Sequence, residues 1–161
     1  MTETTLTAPR TGSSGKPAAS TIASRVRDRA AVRPAGVAVR AKVFGVWQEV
    51  NWSDYWETIH TVGHGLLALG VEPGDRVAVL AENRREWLYT DLGTVAVRAA
   101  TVGLYSTSPW PEIRHILVNS GARILIAEDQ EQVDKVLDIL ADDPDGLPGL
   151  AHAHYLEPRG V

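Results

Sequence analysis

Two short groups of side chains are the best candidates for holding a ligand. Asn83, Arg84 and Trp87 form one group, and Tyr105 and Thr107 the other. An amide, a guanidinium, an indole, a phenol and a hydroxyl can line a substrate or nucleotide crevice. The same side chains also have a plainer use, which is to pack the loops that carry them. Other chemistry fails on spacing. No Ser lies in a G-x-S-x-G turn. There is no Cys, which removes disulfides, thiolate metal sites and a thiol nucleophile. His115 and the pair His152 and His154 have no acidic or nucleophilic partner at motif spacing. His60 and His64 stand four apart, but Thr61 follows the first where a zinc-protease motif needs Glu. Both fall on the helix face opposite the apolar stripe, so they read as an exposed surface pair with no metal expected. Thr11–Pro17 is Gly- and Ser-rich but lacks phosphate-loop spacing. Asp142–Gly146 puts Ala141 where a calcium loop requires Asp, so it reads as a polar loop.

The elements that position the candidate residues are legible. The stretch Gly70–Trp87 contains a helix stop at Gly70, a turn at Pro73-Gly74 and a short apolar strand, Val77–Leu80. A run without alternation suits a strand buried on both faces. Asn83 is expected to cap a helix over 84–97 with Leu88, Leu92, Val95 and Ala96 inward. Strand 100–104 follows, then a helix after Pro109-Trp110-Pro111 with Ile113, Ile116 and Leu117 inward. Gly121 ends that helix, and strand 123–127 leads to helix 130–140, started by Asp129 and Gln132. That helix is expected to bury Val133, Val136, Leu137 and Leu140, and Leu150–Leu156 suggests a fourth strand. Alternating units of this kind predict a parallel sheet with right-handed crossovers. The candidate loops 81–87 and 105–110 then share the carboxyl edge, where open sheets bind ligands.

Upstream, Ser20 or Thr21 is expected to cap a helix over 22–33, and Val37–Lys42 with Val46–Val50 to form a hairpin. Helix 54–69, capped by Ser53, carries the stripe Tyr55, Ile59, Val62, Leu66 and Leu69. Trp47, Trp52 and Trp56 are expected to build a satellite core. The fold class is therefore α/β: a doubly wound parallel-sheet portion preceded by a helix and a hairpin.

The motif L-x-x-L-G-V-x-P-G-D-R-V-A followed by E-N-R-x-E-W resembles the N-terminal part of AMP-forming acyl-CoA synthetases, and its Asn-Arg-x-Glu-Trp points to their long-chain fatty-acid branch. The segment 97–107 resembles the family's second core motif, although many members carry Gly where Arg98 or Ala99 stands. The resemblance runs from about Val37 to the last residue. It implies a parent enzyme that uses ATP and Mg²⁺ to form an acyl-adenylate from a fatty acid and then transfers the acyl group to coenzyme A. The family's phosphate-handling loop, Mg²⁺-positioning Glu, ribose-binding Asp and C-terminal Lys have no counterpart here. The chain is accordingly expected to be an N-terminal fragment, with residues 21–161 a partial domain, no catalytic residue or cofactor of its own, and the rest of the enzyme as a partner. The alternative is a non-enzymatic α/β binding module.

Composition agrees with a globular unit. The 161 residues are 44% hydrophobic and 22% charged. Residues 1–20 hold almost no large apolar group and are expected to be disordered. Net charge is −4, with the basic excess in residues 1–42. Those residues form no tight block, so a solvated surface is preferred over nucleic-acid binding. The absence of Cys and of an apolar leader suits a cytoplasmic protein, with peripheral membrane contact left open.

Overall fold

The computed structural model describes residues 20–157. Nearly all of the tail expected to be disordered lies outside them. Helix α1, Ile22–Val32, is capped by Thr21, whose Oγ1 accepts from the Ser24 amide at 3.1 Å. Strands β1, Val37–Val43, and β2, Val46–Asn51, pair antiparallel. Their two-residue turn holds Phe44 and Gly45 at φ of 47° and 82°, the positive angles that a tight hairpin demands.

Helix α2, Trp52–Ala68, begins two residues sooner than expected. Its cap is Asn51, not Ser53: Asn51 Oδ1 accepts from the Asp54 amide at 2.8 Å. The reason lies upstream. Carbonyls of Gly36 and Pro34 take the Trp52 and Ser53 amides, so the chain is already turned into the helix when it leaves the hairpin. Gly70 ends this segment at φ 80°, and Gly74, at φ 95°, completes the turn into the sheet.

The remaining elements alternate: β3, Arg76–Leu80; α3, Arg85–Ala96; β4, Ala100–Leu104; α4, Trp110–Ser120; β5, Ile124–Ala127; α5, Gln130–Asp142; and β6, His152–Tyr155. The four strands are parallel in the order β4-β3-β5-β6. Ala78, Leu80 and Leu125 pack on Ile113 and Leu117 of α4 and on Val136 and Ile139 of α5. On the other face, Val77 and Ile124 pack on Leu66 of α2. The result is a doubly wound three-layer unit, as the sequence pattern predicts. Strands β3 and β5 are thus covered on both faces within the chain itself. Each fully buried Leu or Ile of that core contributes about 1.5–3 kcal/mol.

Several faces are rotated from expectation. In α3 the buried residues are Tyr89, Thr90, Leu92, Gly93 and Thr94, while Leu88 and Ala96 are exposed. The cause is the crossing with α2. A Cβ on Gly93 would lie 2.7 Å from Val62 Cγ1, so the two helices meet where only glycine fits. Tyr55 and Ile59 of α2 then pack on Tyr89 and Leu92. In α5 the buried set is Gln132, Val136 and Ile139, and Leu137 and Leu140 face outward. Trp52 and Trp56 join the satellite core, but Trp47 is 65% exposed on the hairpin. Helix α3 is not capped by Asn83. Arg84 holds the cap position in extended backbone, without a side-chain cap bond.

Candidate functional site

The strand order creates the site. From β3 the chain crosses to β4 on one side, and the next crossover returns to β5 on the other. A crevice therefore opens between the carboxyl ends of β3 and β5, the switch point of a doubly wound sheet. The loop 81–84 leaves β3 there, and Glu128 follows β5.

Arg84 occupies the crevice. Its side chain is only 17% exposed, and each of its guanidinium nitrogens donates to a carboxylate. Nε reaches Glu86 at 2.8 Å, Nη1 reaches Glu128 at 3.0 Å and Nη2 reaches Glu157 at 2.6 Å. Glu128 also accepts from the Glu82 amide at 2.7 Å, so it binds both loop and guanidinium. Burial opposes charge on Arg84, but the bonds to Glu86 and Glu157 outweigh it and raise the pKa above its ordinary value. Burial likewise pushes the Glu86 carboxyl upward, yet hydrogen bonds from Arg84 and Arg85 win and hold it below the usual carboxylate range. Behind this cluster, burial pushes the phenols of Tyr55 and Tyr89 up, and their rings meet at 5.5 Å.

An open cleft of about 910 Å³ runs from this cluster to the hairpin. Asn83, Arg84 and Trp87 line one wall, and Lys42, Phe44 and Trp47 of the hairpin line the other. Arg85 spans the two, donating to Glu86 at 2.9 Å and to Gln48 of β2 at 3.4 Å. Trp87 also leans on the sheet. A Cβ on Gly103 would meet its ring at 3.3 Å, so Gly at that point of β4 makes room for the indole.

The structure therefore brings together Asn83, Arg84 and Trp87, but not Tyr105 and Thr107. The latter pair stands on the loop after β4, with Tyr105 82% exposed and Thr107 exposed. That loop is tied from below: the Ser106 hydroxyl donates to Glu82, and the Lys135 ammonium to the Ser106 carbonyl. Sequence reading missed Glu128, Glu157 and Lys135. Nothing local marks their place at the site, because the partners that tie them there lie 46 and 44, 73 and 29 residues away. Glu86 was visible as the Glu of the Asn-Arg-x-Glu-Trp motif, but not as a partner of Arg84.

Comparison with known proteins gives a consistent answer. Residues 26–153 match the family model described as AMP-binding enzyme. The long-chain-fatty-acid–CoA ligase FadD15 of Mycobacterium bovis is 35% identical over 100 residues, covering 62% of this chain and 17% of that protein. The Mycobacterium tuberculosis protein Rv1549 is 35% identical over 107 residues, covering 66% of this chain and 59% of that one. Among solved structures, the N-terminal domain of FACL13 from Mycobacterium tuberculosis superposes with a TM-score of 0.75 at 24% identity, covering 86% of this chain and 34% of that one. The chain thus spans a small part of the curated ligase that it matches.

Proposed function

The chain belongs to the AMP-binding enzyme family, and from that premise we propose that it supplies the N-terminal α/β unit of a long-chain fatty acid–CoA ligase. In such an enzyme the fatty-acid carboxylate attacks the α-phosphorus of ATP, forming acyl-adenylate and releasing pyrophosphate. The thiol of coenzyme A then takes the acyl group, and AMP departs. The observation that carries the reading is the match over residues 26–153, joined to 35% identity with a ligase of that name.

The share of this chain in the reaction is structural. A triphosphate does not fit the switch-point crevice as it stands. A phosphate there would meet Glu86, Glu128 and Glu157, while the buried cation among them, Arg84, already serves all three. The role of these residues in the proposal is to hold the β3 and β5 loops at one spacing, so that a neighbouring part of the enzyme meets a fixed edge. Asn83 and Trp87 are proposed as the cleft-facing substrate contacts, with Tyr105 and Thr107 on the adjoining loop. Because a long-chain fatty acid partitions into bilayers, peripheral membrane contact belongs to the same proposal. Among the described residues no helix is long and apolar enough to cross a membrane.

The test is a chimaera. Residues 20–157 replace the matching segment of FadD15, and palmitate-dependent ATP–pyrophosphate exchange is measured. Exchange well above that of FadD15 lacking the segment supports the reading; a folded chimaera without exchange defeats it.

A second reading, a non-enzymatic binding module, gains some support from the Rv1549 match, which spans 59% of that protein against 17% of FadD15. A stoichiometric protein partner bound without turnover would distinguish it.

A further inference from the structure

Helix α2 turns one face to the sheet and α3 and the other to solvent. On the outer face, His60 and His64 are exposed and one helical turn apart. Their Nε2 atoms are 3.2 Å apart, while their ring centroids are 4.4 Å apart. The rings are tilted at 50° to each other, with their Nε2 atoms closer than their centroids. Two neutral imidazoles in this pose share one proton between two nitrogen lone pairs.

That separation has a second meaning. Zn–N bonds of about 2.0–2.1 Å place two neighbouring ligand nitrogens about 2.9 Å apart at a right angle and about 3.3 Å apart at the tetrahedral angle. The observed spacing falls between these values. We propose that His60 and His64 form a bidentate site for a divalent transition-metal cation of the Zn²⁺, Ni²⁺ or Cu²⁺ class, for which imidazole is a suitable ligand. The cation takes the place of the shared proton, which moves to Nδ1 of the ring that carried it, and small rotations of the exposed rings bring both Nε2 lone pairs onto the metal. Water completes the coordination. Glu57, one turn before His60 and also exposed, is the nearest acid of α2 on that side. Among the described residues no group of three or more His, Asp or Glu side chains converges, so the site is open, with two protein ligands.

Two properties make the site measurable. The Trp56 ring centroid lies 6.1 Å from that of His60, close enough for bound Ni²⁺ or Cu²⁺ to quench its emission. The pair also forms only while α2 is helical, so the cation binds the folded chain in preference to the unfolded one and raises its melting temperature by mass action.

The experiment titrates the full chain with Zn²⁺ alone by calorimetry and with Ni²⁺ alone by tryptophan emission, in a non-coordinating buffer. One equivalent is expected to bind saturably. His60→Ala and His64→Gln should each weaken binding by about a hundredfold, as expected when the second ligand's intramolecular advantage is lost. Both should also abolish the Zn²⁺-dependent rise in melting temperature. The double variant H152A/H154A should change neither result, and Trp56→Phe should remove most of the quenching but not the heat. Circular dichroism without metal shows whether each variant is folded. Binding by folded His60→Ala or His64→Gln as tight as wild type overturns the proposal. So does binding that disappears with His152 and His154 instead.

Discussion

Arg84 Nη1 and Glu128 Oε1 lie 3.0 Å apart across the gap between β3 and β5, joining residues 44 positions apart in sequence. Around this bond the guanidinium holds two further carboxylates, Glu86 and Glu157. Removing the cation leaves three acids together in a half-buried crevice. Arg84→Met is expected to cost about 2–4 kcal/mol, somewhat below the value for a fully buried pair because water still reaches the acids. Lysine should recover only part of this, since a single ammonium cannot present the planar fork. Urea unfolding of the three proteins measures both effects. A midpoint unchanged in Arg84→Met would show that the cluster is only decorative.

The same cluster should sensitise the fold to acid. The Glu86 carboxyl titrates lower in the folded chain than in the unfolded one. Its stabilising effect is therefore complete above the ordinary glutamate value of about 4.3 and is lost as pH falls through the lower folded value. Stability plotted against pH should fall more steeply below about pH 4 for wild type than for Glu86→Gln. Parallel curves would contradict the assignment.

Arg98 sits at φ 66°, a left-handed backbone that costs a side-chain-bearing residue about 1 kcal/mol or more. Its carbonyl accepts from the Gly74 amide at 2.9 Å, which fixes the bend between α3 and β4. Arg98→Gly should therefore raise the melting temperature, with a gain of about 0.5–1 kcal/mol after the entropy that glycine adds to the unfolded chain. A loss of stability would mean that the Arg98 side chain contributes more than its backbone costs.

Position decides the effect of a charge on α2. Leu66 is 3% exposed against the sheet, and Thr61 faces solvent. Leu66→Asp should unfold the domain, whereas Thr61→Asp should shift stability by less than about 0.5 kcal/mol. Circular dichroism melts compare the same charge on two faces of one helix.

The chain alone should show no fatty-acid-dependent ATP–pyrophosphate exchange. The three carboxylates at its switch point already hold its buried Arg84, and its sequence holds no phosphate loop. Exchange above a blank without enzyme would require a nucleotide site elsewhere on this surface.

The features legible in the sequence are those that depend on local backbone chemistry. Gly70, Gly74 and Gly121 mark turns and helix ends because their positive φ disfavours other residues. Asp129 marks the start of α5 because its side chain accepts the Gln132 amide at 3.2 Å. Features that depend on contacts between distant elements are not legible. The inward face of α3 is set by how Gly93 meets Val62, not by the hydrophobicity of Leu88. The same holds for the site. Asn83, Arg84 and Trp87 stand out as a motif, but nothing in that motif shows that Arg84 is held by Glu128 and Glu157.

The position of β3 in the middle of the sheet sets a timetable for synthesis. Val77 emerges early, pairs first with Thr101 and must wait 47 positions for its other neighbour, Ile124. At ribosomal speeds of about 5–20 residues per second, that wait lasts roughly 2–10 s. Until α4 arrives, Ala78, Leu80 and Leu104 have no cover on their side of the strands, because Ile113 and Leu117 are still unmade. A nascent chain from which residue 104 has emerged but residue 117 has not presents that bare apolar surface at the mouth of the exit tunnel. Chaperone capture should therefore concentrate in this window and decline once α4 has docked.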